Sequence, residues 1–207
     1  MLLPLSQLPT SLLPALAALH QATMPTLLSD LGDDFVLRYY QLSQKDPTVI
    51  AICALDDDLE SLSISHVSRI TLGYALGSPD PAALNAQLRR PLTWFAVQML
   101  KLAFSNPGVL FQLAQSVLTA SEANNLKPGQ IELTYIGVAP EARGQGLGKT
   151  ILAGFVESAR AAGYTSVALS VETDNPVAVA LYTKFGFTIT QTFSEGRYHR
   201  YRMQFDL

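Results

Sequence analysis

The run Arg143-Gly144-Gln145-Gly146-Leu147-Gly148-Lys149-Thr150 carries the clearest chemical signal, and it sits between a strand pattern and a helix pattern. Glycines at alternate positions admit backbone dihedrals that other residues avoid and let the main chain approach a ligand closely. The helix that follows turns unpaired N–H groups and the positive end of its dipole into the loop. Phosphate or pyrophosphate suits such a place. Two nucleotide motifs fit it poorly. The P-loop G-x-x-x-x-G-K-[ST] finds its tail in Gly148-Lys149-Thr150, but its first glycine falls on Arg143, and Gly144 is one residue too close. The dinucleotide pattern G-x-G-x-x-G fails because Lys149 stands three residues after Gly146. A glycine-rich turn without a ligand is the plain alternative.

Other residues bear on chemistry less sharply. Glu132 stands inside the apolar run IELTYIGV, alternating with Thr134 and Ile136 on one face. Charge is rarely buried in a strand without reason, so Glu132 is a candidate functional residue, with a strand end or an ion pair as the alternative. Tyr182 follows Asn175 by seven residues, which puts the two on nearly one helix face, roughly 10 Å apart along the axis. Taken alone, Tyr182 reads as a core tyrosine on an apolar helix. Asn175-Pro176 is a strong N-cap and first-position pair. His20, His66 and His199 fall at no metal-ligand spacing, and no metal is expected. Arg89-Arg90 reads as a solvated helix turn or an anchor for an anionic acceptor. Asp56-Asp57-Asp58 reads as a solvated hairpin tip.

These residues need elements to hold them. Residues 12–22 and 27–44 have helical spacing, the second with Asp33 or Asp34 as an internal cap. Residues 48–57 and 69–78 read as strands of an antiparallel hairpin around a polar turn at 56–68. From 79 to 120 there is no strand signal. One helical pattern runs over 81–104, with Leu92, Phe95, Met99 and Leu102 along one side, and a second over 109–120 after Asn106-Pro107-Gly108. The loop 121–129 leads to a strand at 131–138, a loop at 139–148, a helix at 149–163 and a strand at 166–173. A helix from Asn175-Pro176 to Gly186 follows, then strands at 187–193 and 197–205 across a Ser-Glu-Gly turn. The alternation indicates a mixed α/β sheet.

Composition narrows the classes. With 207 residues, 48% of them apolar, the chain has material for one domain with a substantial core. A net charge of −3 makes nucleic acid a poor partner. Cys53 stands alone, which excludes an intrachain disulfide and favours a reducing compartment, the cytoplasm by default. The apolar start lacks a basic residue and is broken by Pro4, Pro9 and Pro14, so it makes a poor signal peptide. No transmembrane segment is expected.

The stretch from about Ile131 to Phe187 resembles the GNAT superfamily of acyl-CoA-dependent N-acyltransferases. The match lies in the strand ending Ile136-Gly137-Val138-Ala139-Pro140, in the loop Arg143–Gly148, and in Asn175-Pro176 followed by Tyr182, Phe185, Gly186 and Phe187. Arg143, Gly146 and Gly148 fit the family's R/Q-x-x-G-x-G/A signature. The N-terminal half shares only a coarse plan of two helices and a hairpin. The resemblance implies a single GNAT-type domain over 1–207: a central mixed β-sheet flanked by helices, with the helical insertion at 79–125 between the third and fourth strands. It implies acetyl-CoA as co-substrate, without a metal, and an acetyl group passed to a primary amine of a small molecule or a protein. Main chain at Ile136, Gly137 and Val138 would pair with the pantetheine arm, in a gap between splayed strands. The N–H near Ile136 would face the thioester oxygen. Loop residues Arg143, Gly144, Gln145, Gly146, Leu147, Gly148 and Lys149 would hold the pyrophosphate, with Asn175 beside the cofactor. Tyr182 would protonate the departing thiolate, and Glu132, or a water chain, would take the amine's proton. A GNAT-like protein that binds acyl-CoA without turnover is the alternative, and a P-loop-like nucleotide binder a weaker one. The apolar side of the insertion would be buried on the domain's own sheet and first helices, or in a homodimer.

Overall fold

The computed structural model describes residues 1–56, 71–109, 126–195 and 198–207. Strands β1 (Leu2–Pro4), β2 (Ile50–Leu55), β3 (Thr71–Ser78), β4 (Gln130–Val138), β5 (Ser166–Glu172), β6 (Thr188–Glu195) and β7 (Tyr198–Asp206) form one sheet. Its order is β1-β2-β3-β4-β5-β7-β6, with β4 and β5 parallel and every other pair antiparallel. The helices are α1 (Leu13–Thr23), α2 (Leu27–Asp30), α3 (Asp33–Lys45), α4 (Pro81–Gln87), α5 (Leu92–Ser105), α6 (Leu147–Ala161) and α7 (Pro176–Phe185). The α/β class and the mixed sheet agree with the sequence. The polar turn at 56–68, except Asp56, lies outside the described residues, as do the helix at 109–120, except Val109, most of the loop at 121–129, Gly196 and His66.

Each face of the sheet carries its own core. On one face α1 and α3 bring Leu16, Phe35, Val36, Tyr39 and Tyr40 against Tyr74 and Leu76. On the other, α6 lays Ile151, Leu152, Phe155 and Ala159 over Ile131, Leu133, Val167 and Leu169. The helical spacing of the α6 residues and the alternation in β5 are what bury these side chains together.

Two expectations are corrected, and one strand is added. Leu2–Pro4, which shows no strand alternation, pairs antiparallel with β2 as an edge strand. The stretch 81–104 is two helices, because Pro91 lacks the N–H that would continue the first. Leu92 faces outward, at 73% exposed, while Phe95 and Met99 pack inward with Trp94. Only Lys101 is charged in α5, so a helix apolar all round gives its periodicity no single face to announce. Phe35 sets the face: Trp94 and Phe95 meet it edge-on, with centroids 5.0 and 6.1 Å away. The Arg38 guanidinium lies 4.6 Å over Trp94, a cation–π contact.

β4 contains an irregularity that reorients the centre of the molecule. Its pairing with β3 runs from Gly73↔Val138 to Leu76↔Tyr135, then slips to Gly77↔Leu133 and Ser78↔Glu132. Thr134 is therefore one residue too many, a β-bulge. Ile131 and Leu133 face α6, but after the bulge Tyr135 packs edge-on against His20 of α1 at 4.8 Å. Glu132 thus shares the α1 face with Tyr135 and Gly137, and Ile136 turns the other way. The expected alternation of Glu132 with Ile136 on one face does not hold.

His20 is fully buried, its Nδ1 3.0 Å from the Tyr40 hydroxyl and 3.2 Å from that of Tyr74. Burial disfavours its charged form and lowers its pKa from 6.5 to about 4. The unfolded chain therefore binds more protons than the folded one between those values. The contribution of neutral His20 is complete above pH 6.5, is lost as pH falls, and levels off below about 4. That window corresponds to about 3 kcal/mol. Urea denaturation from pH 7 to 4 should show this extra loss in the wild type and not in His20→Gln. Parallel curves for the two proteins would refute it.

Candidate active site

β4 and β5 pair only from Gln130↔Ser166 to Glu132↔Ala168. Beyond that point β4 stays with β3 and β5 stays with β7, so the two strands part. Alternate residues of β4 then turn main-chain N–H and C=O groups into a gap where no strand answers them. An open edge in mid-sheet is a liability unless something extended and amide-bearing fills it.

The loop at the mouth of this fork is built by its own side chains. Arg143 Nε donates to the Val138 carbonyl at 3.1 Å, and Gln145 Nε2 donates to that of Glu141 at 3.3 Å. Gly144 and Gly146 have φ of 78° and 80°, in the left-handed region that side chains avoid. Lys149 and Thr150 are the first N–H groups of α6 with acceptors, both on the Gly146 carbonyl, at 3.0 and 3.1 Å. The N–H groups of Gly144, Gln145, Gly146, Leu147 and Gly148 have no acceptor among the described residues. A run of main-chain donors at the start of a 15-residue helix is a nest for an anion. Lys149 is exposed beside it.

α7 closes the third side. Asn175 Oδ1 accepts from the Ala178 N–H at 3.1 Å, so Asn175 is the helix cap. A Cβ built on Gly148 would lie 3.7 Å from both Leu181 and Val138, so loop, α7 and the end of β4 converge there. The outer side of α7 forms a shallow apolar groove over Pro176, Val177, Ala180 and Leu181, with Lys184 at its edge. Tyr182 is 6% exposed, its ring 5.7 Å from that of Phe187. Its hydroxyl has no hydrogen-bond partner among the described residues, yet it is not one of the fully enclosed polar atoms. Burial raises its pKa, so Tyr182 keeps its proton through neutral pH.

Residues 111–187, which include β4, the loop and α7, match the model of the Acetyltransferase (GNAT) family. This stretch, less than half of the chain, is similar to the GNAT family. The whole chain superposes on a GCN5-related N-acetyltransferase from Kribbella flavida, with TM-score 0.63 at 16% identity over 97% of that structure. It also superposes on Arabidopsis thaliana NAA60 in complex with acetyl-CoA, with TM-score 0.62 at 13% identity over 98% of that structure. Among curated proteins it is similar to the mycothiol acetyltransferase of Paenarthrobacter aurescens, 34% identical over 111 residues, which are 54% of this chain and 33% of that protein. The chain spans about a third of the length of that relative.

The residues singled out from sequence fall into two groups. Ile136, Gly137 and Val138 lie on β4 beyond the fork and the loop from Arg143 to Lys149 follows them, while Asn175 caps α7 and Tyr182 packs in the core against Phe187. Glu132 sits at the fork's base and is already engaged: Arg202 Nη1 lies 3.1 Å from its Oε1, and Nη2 donates to its Oε2 at 3.3 Å. Both side chains are nearly buried, at 13% for Glu132 and 8% for Arg202. Sequence inspection missed Arg202. The signal available was an arginine at alternate spacing within the terminal strand, where burial of such a charge requires a partner. Among the described residues no group of three or more His, Cys, Asp or Glu could hold a metal ion, and no helix is long and apolar enough to cross a membrane.

Proposed function

We propose that this chain transfers an acetyl group from acetyl-CoA to a primary amine, acting as one GNAT-type unit with residues 79–125 as an insertion. The observation that carries this reading is the run of unpartnered N–H groups from Gly144 to Gly148 at the mouth of the β4–β5 fork. These donors suit a pyrophosphate, the free edge of β4 at Ile136–Val138 suits a pantetheine arm, and the Pro176–Leu181 groove suits an apolar part of the ligand. Bound acetyl-CoA would supply an activated thioester. The main-chain N–H near Ile136 would polarise its carbonyl, and Tyr182 Oη would deliver a proton to the sulfur as it departs. Both oxygens of Glu132 are engaged by Arg202, so water takes the amine's proton in this reading. A Glu132→Gln variant with the wild-type pH–rate profile agrees with it. The mycothiol acetyltransferases among the relatives support an amine acceptor, small molecule or protein, and the buried thiol of Cys53 suits a reducing cytoplasm.

Thermal unfolding with and without ligand tests the cofactor assignment. Acetyl-CoA at 100 times its dissociation constant should stabilise the fold by about 2.7 kcal/mol. For a chain of this size that is a rise in Tm of roughly 5–10 °C. ATP with magnesium should leave Tm unchanged, since the P-loop spacing fails. A Tm unmoved by millimolar acetyl-CoA would remove the assignment, and a rise with ATP–magnesium alone would revive the nucleotide reading.

A further inference from the structure

The fork between β4 and β5 has a fixed origin. Glu132↔Ala168 is the last pair before the strands part, and Glu132 is the β4 residue that Arg202 holds. Arg202 belongs to β7, opposite Ser170 of β5, and its Nη1 also donates to the Ser170 hydroxyl at 3.0 Å. Ser170 lies two residues beyond Ala168, so it is the first β5 residue past the fork on the same face as Glu132. One guanidinium therefore ties the last paired residue of β4 to the first unpaired turn of β5 from a third strand. Its fork-like geometry suits a two-oxygen grip on a carboxylate, and its burial keeps that grip out of competition with water.

Among the described residues, α1 and α3 pack on this face over β3 and β4, and α6 lies on the opposite side. Among the described residues, the Glu132–Arg202–Ser170 contacts link β4 to β5 and β7 on this face. Without the pair, parallel β4–β5 pairing over only three residues, Gln130 to Glu132, would hold the angle of the fork. The bulge at Thr134 follows within two residues, so the strand is at its least regular where the angle is set.

We propose that Arg202 and Glu132 form a clasp that sets the opening of the β4–β5 fork, making both positioning residues for the thioester beside Ile136. The clasp rests on the acetyl-CoA reading of the fork for its catalytic consequence, and on the ion pair alone for its structural one. It accounts for a carboxylate inside β4 without requiring it to exchange a proton. A clasp needs opposite charges at the two positions in either order, whereas a base needs its carboxylate at position 132.

The charge-swapped protein Glu132→Arg/Arg202→Glu separates these roles. Glu132→Gln and Arg202→Met should each lower kcat/KM for acetyl-CoA, on the order of a hundredfold where a reacting group is displaced by about an ångström. The swap should recover to within about tenfold of wild type, with the wild-type pH–rate profile. The doubly neutral Glu132→Gln/Arg202→Gln serves if the swap does not fold, and should fall between the single variants and wild type. Hydrogen exchange of the Ile131 and Glu132 amides reads the clasp apart from chemistry: faster in each single variant, slowed again in the swap. Single variants with wild-type kcat/KM, or a swap no better than Glu132→Gln, would overturn the positioning role. If the exchange pattern appears in a protein whose wild type does not bind acetyl-CoA, the acetyl-CoA reading falls and the clasp remains as a structural tie.

Discussion

Gly146→Asp should abolish acetyl-CoA binding in a protein that still folds. Gly146 has φ of 80° and caps α6, and nothing lies within 4 Å of where its Cβ would stand. A side chain therefore has room. The strain of the left-handed conformation is on the order of 1 kcal/mol, and aspartate tolerates it better than most residues. The functional effect is larger. A carboxylate here would point its charge into the run of N–H groups from Gly144 to Gly148 and occupy the place of a phosphate oxygen. Affinity should drop by at least a hundredfold, equivalent to about 2.8 kcal/mol. Gly146→Ala carries the same strain without the charge and should lose much less. Titration calorimetry with CoA, alongside circular dichroism, checks the order. Wild-type affinity in folded Gly146→Asp would remove the loop from the binding site.

Tyr182→Phe should lower kcat by roughly tenfold to a thousandfold, with acetyl-CoA affinity nearly unchanged. The phenyl ring would keep the packing on Phe187, since only the hydroxyl is removed. That hydroxyl has no protein partner to leave stranded among the described residues, so the fold should barely respond. Burial holds the Tyr182 pKa above its ordinary value of 10, so its loss of a proton should not limit the wild-type rate below pH 10. Steady-state kinetics between pH 7 and 9 would show a uniform loss. A variant with wild-type kcat would return Tyr182 to the status of a core residue. A variant with unchanged kcat and weakened acetyl-CoA binding would make it a contact and not an acid.

The parts of this molecule legible in its sequence are those where local chemistry and tertiary packing agree. The run Ile131–Val138, the glycine loop, the apolar stripe of α6 and the Asn175-Pro176 start each announce themselves by composition and spacing. The missed parts depend on partners far along the chain. β1 is three residues that become a strand only because β2 offers an edge. Leu92 turns outward because Phe35 of α3 selects Trp94 and Phe95 from a helix with apolar residues on every side. Glu132 looks like an isolated carboxylate until Arg202, 70 residues away, is folded against it.

Thr134 carries information in its backbone that its side chain does not. A one-residue deletion in an ordinary strand exchanges inside for outside from that point onward. In β4 the exchange is already present, so the strand consists of two segments of opposite parity joined at Thr134. Deleting it would restore simple alternation and leave Tyr135 toward α1 and Ile136 toward α6. Substitutions such as Thr134→Val leave the count intact. When relatives are aligned, position 134 is accordingly a phase mark: a strand without the bulge needs a gap here, and leaving it out assigns every later side chain of the strand to the wrong face.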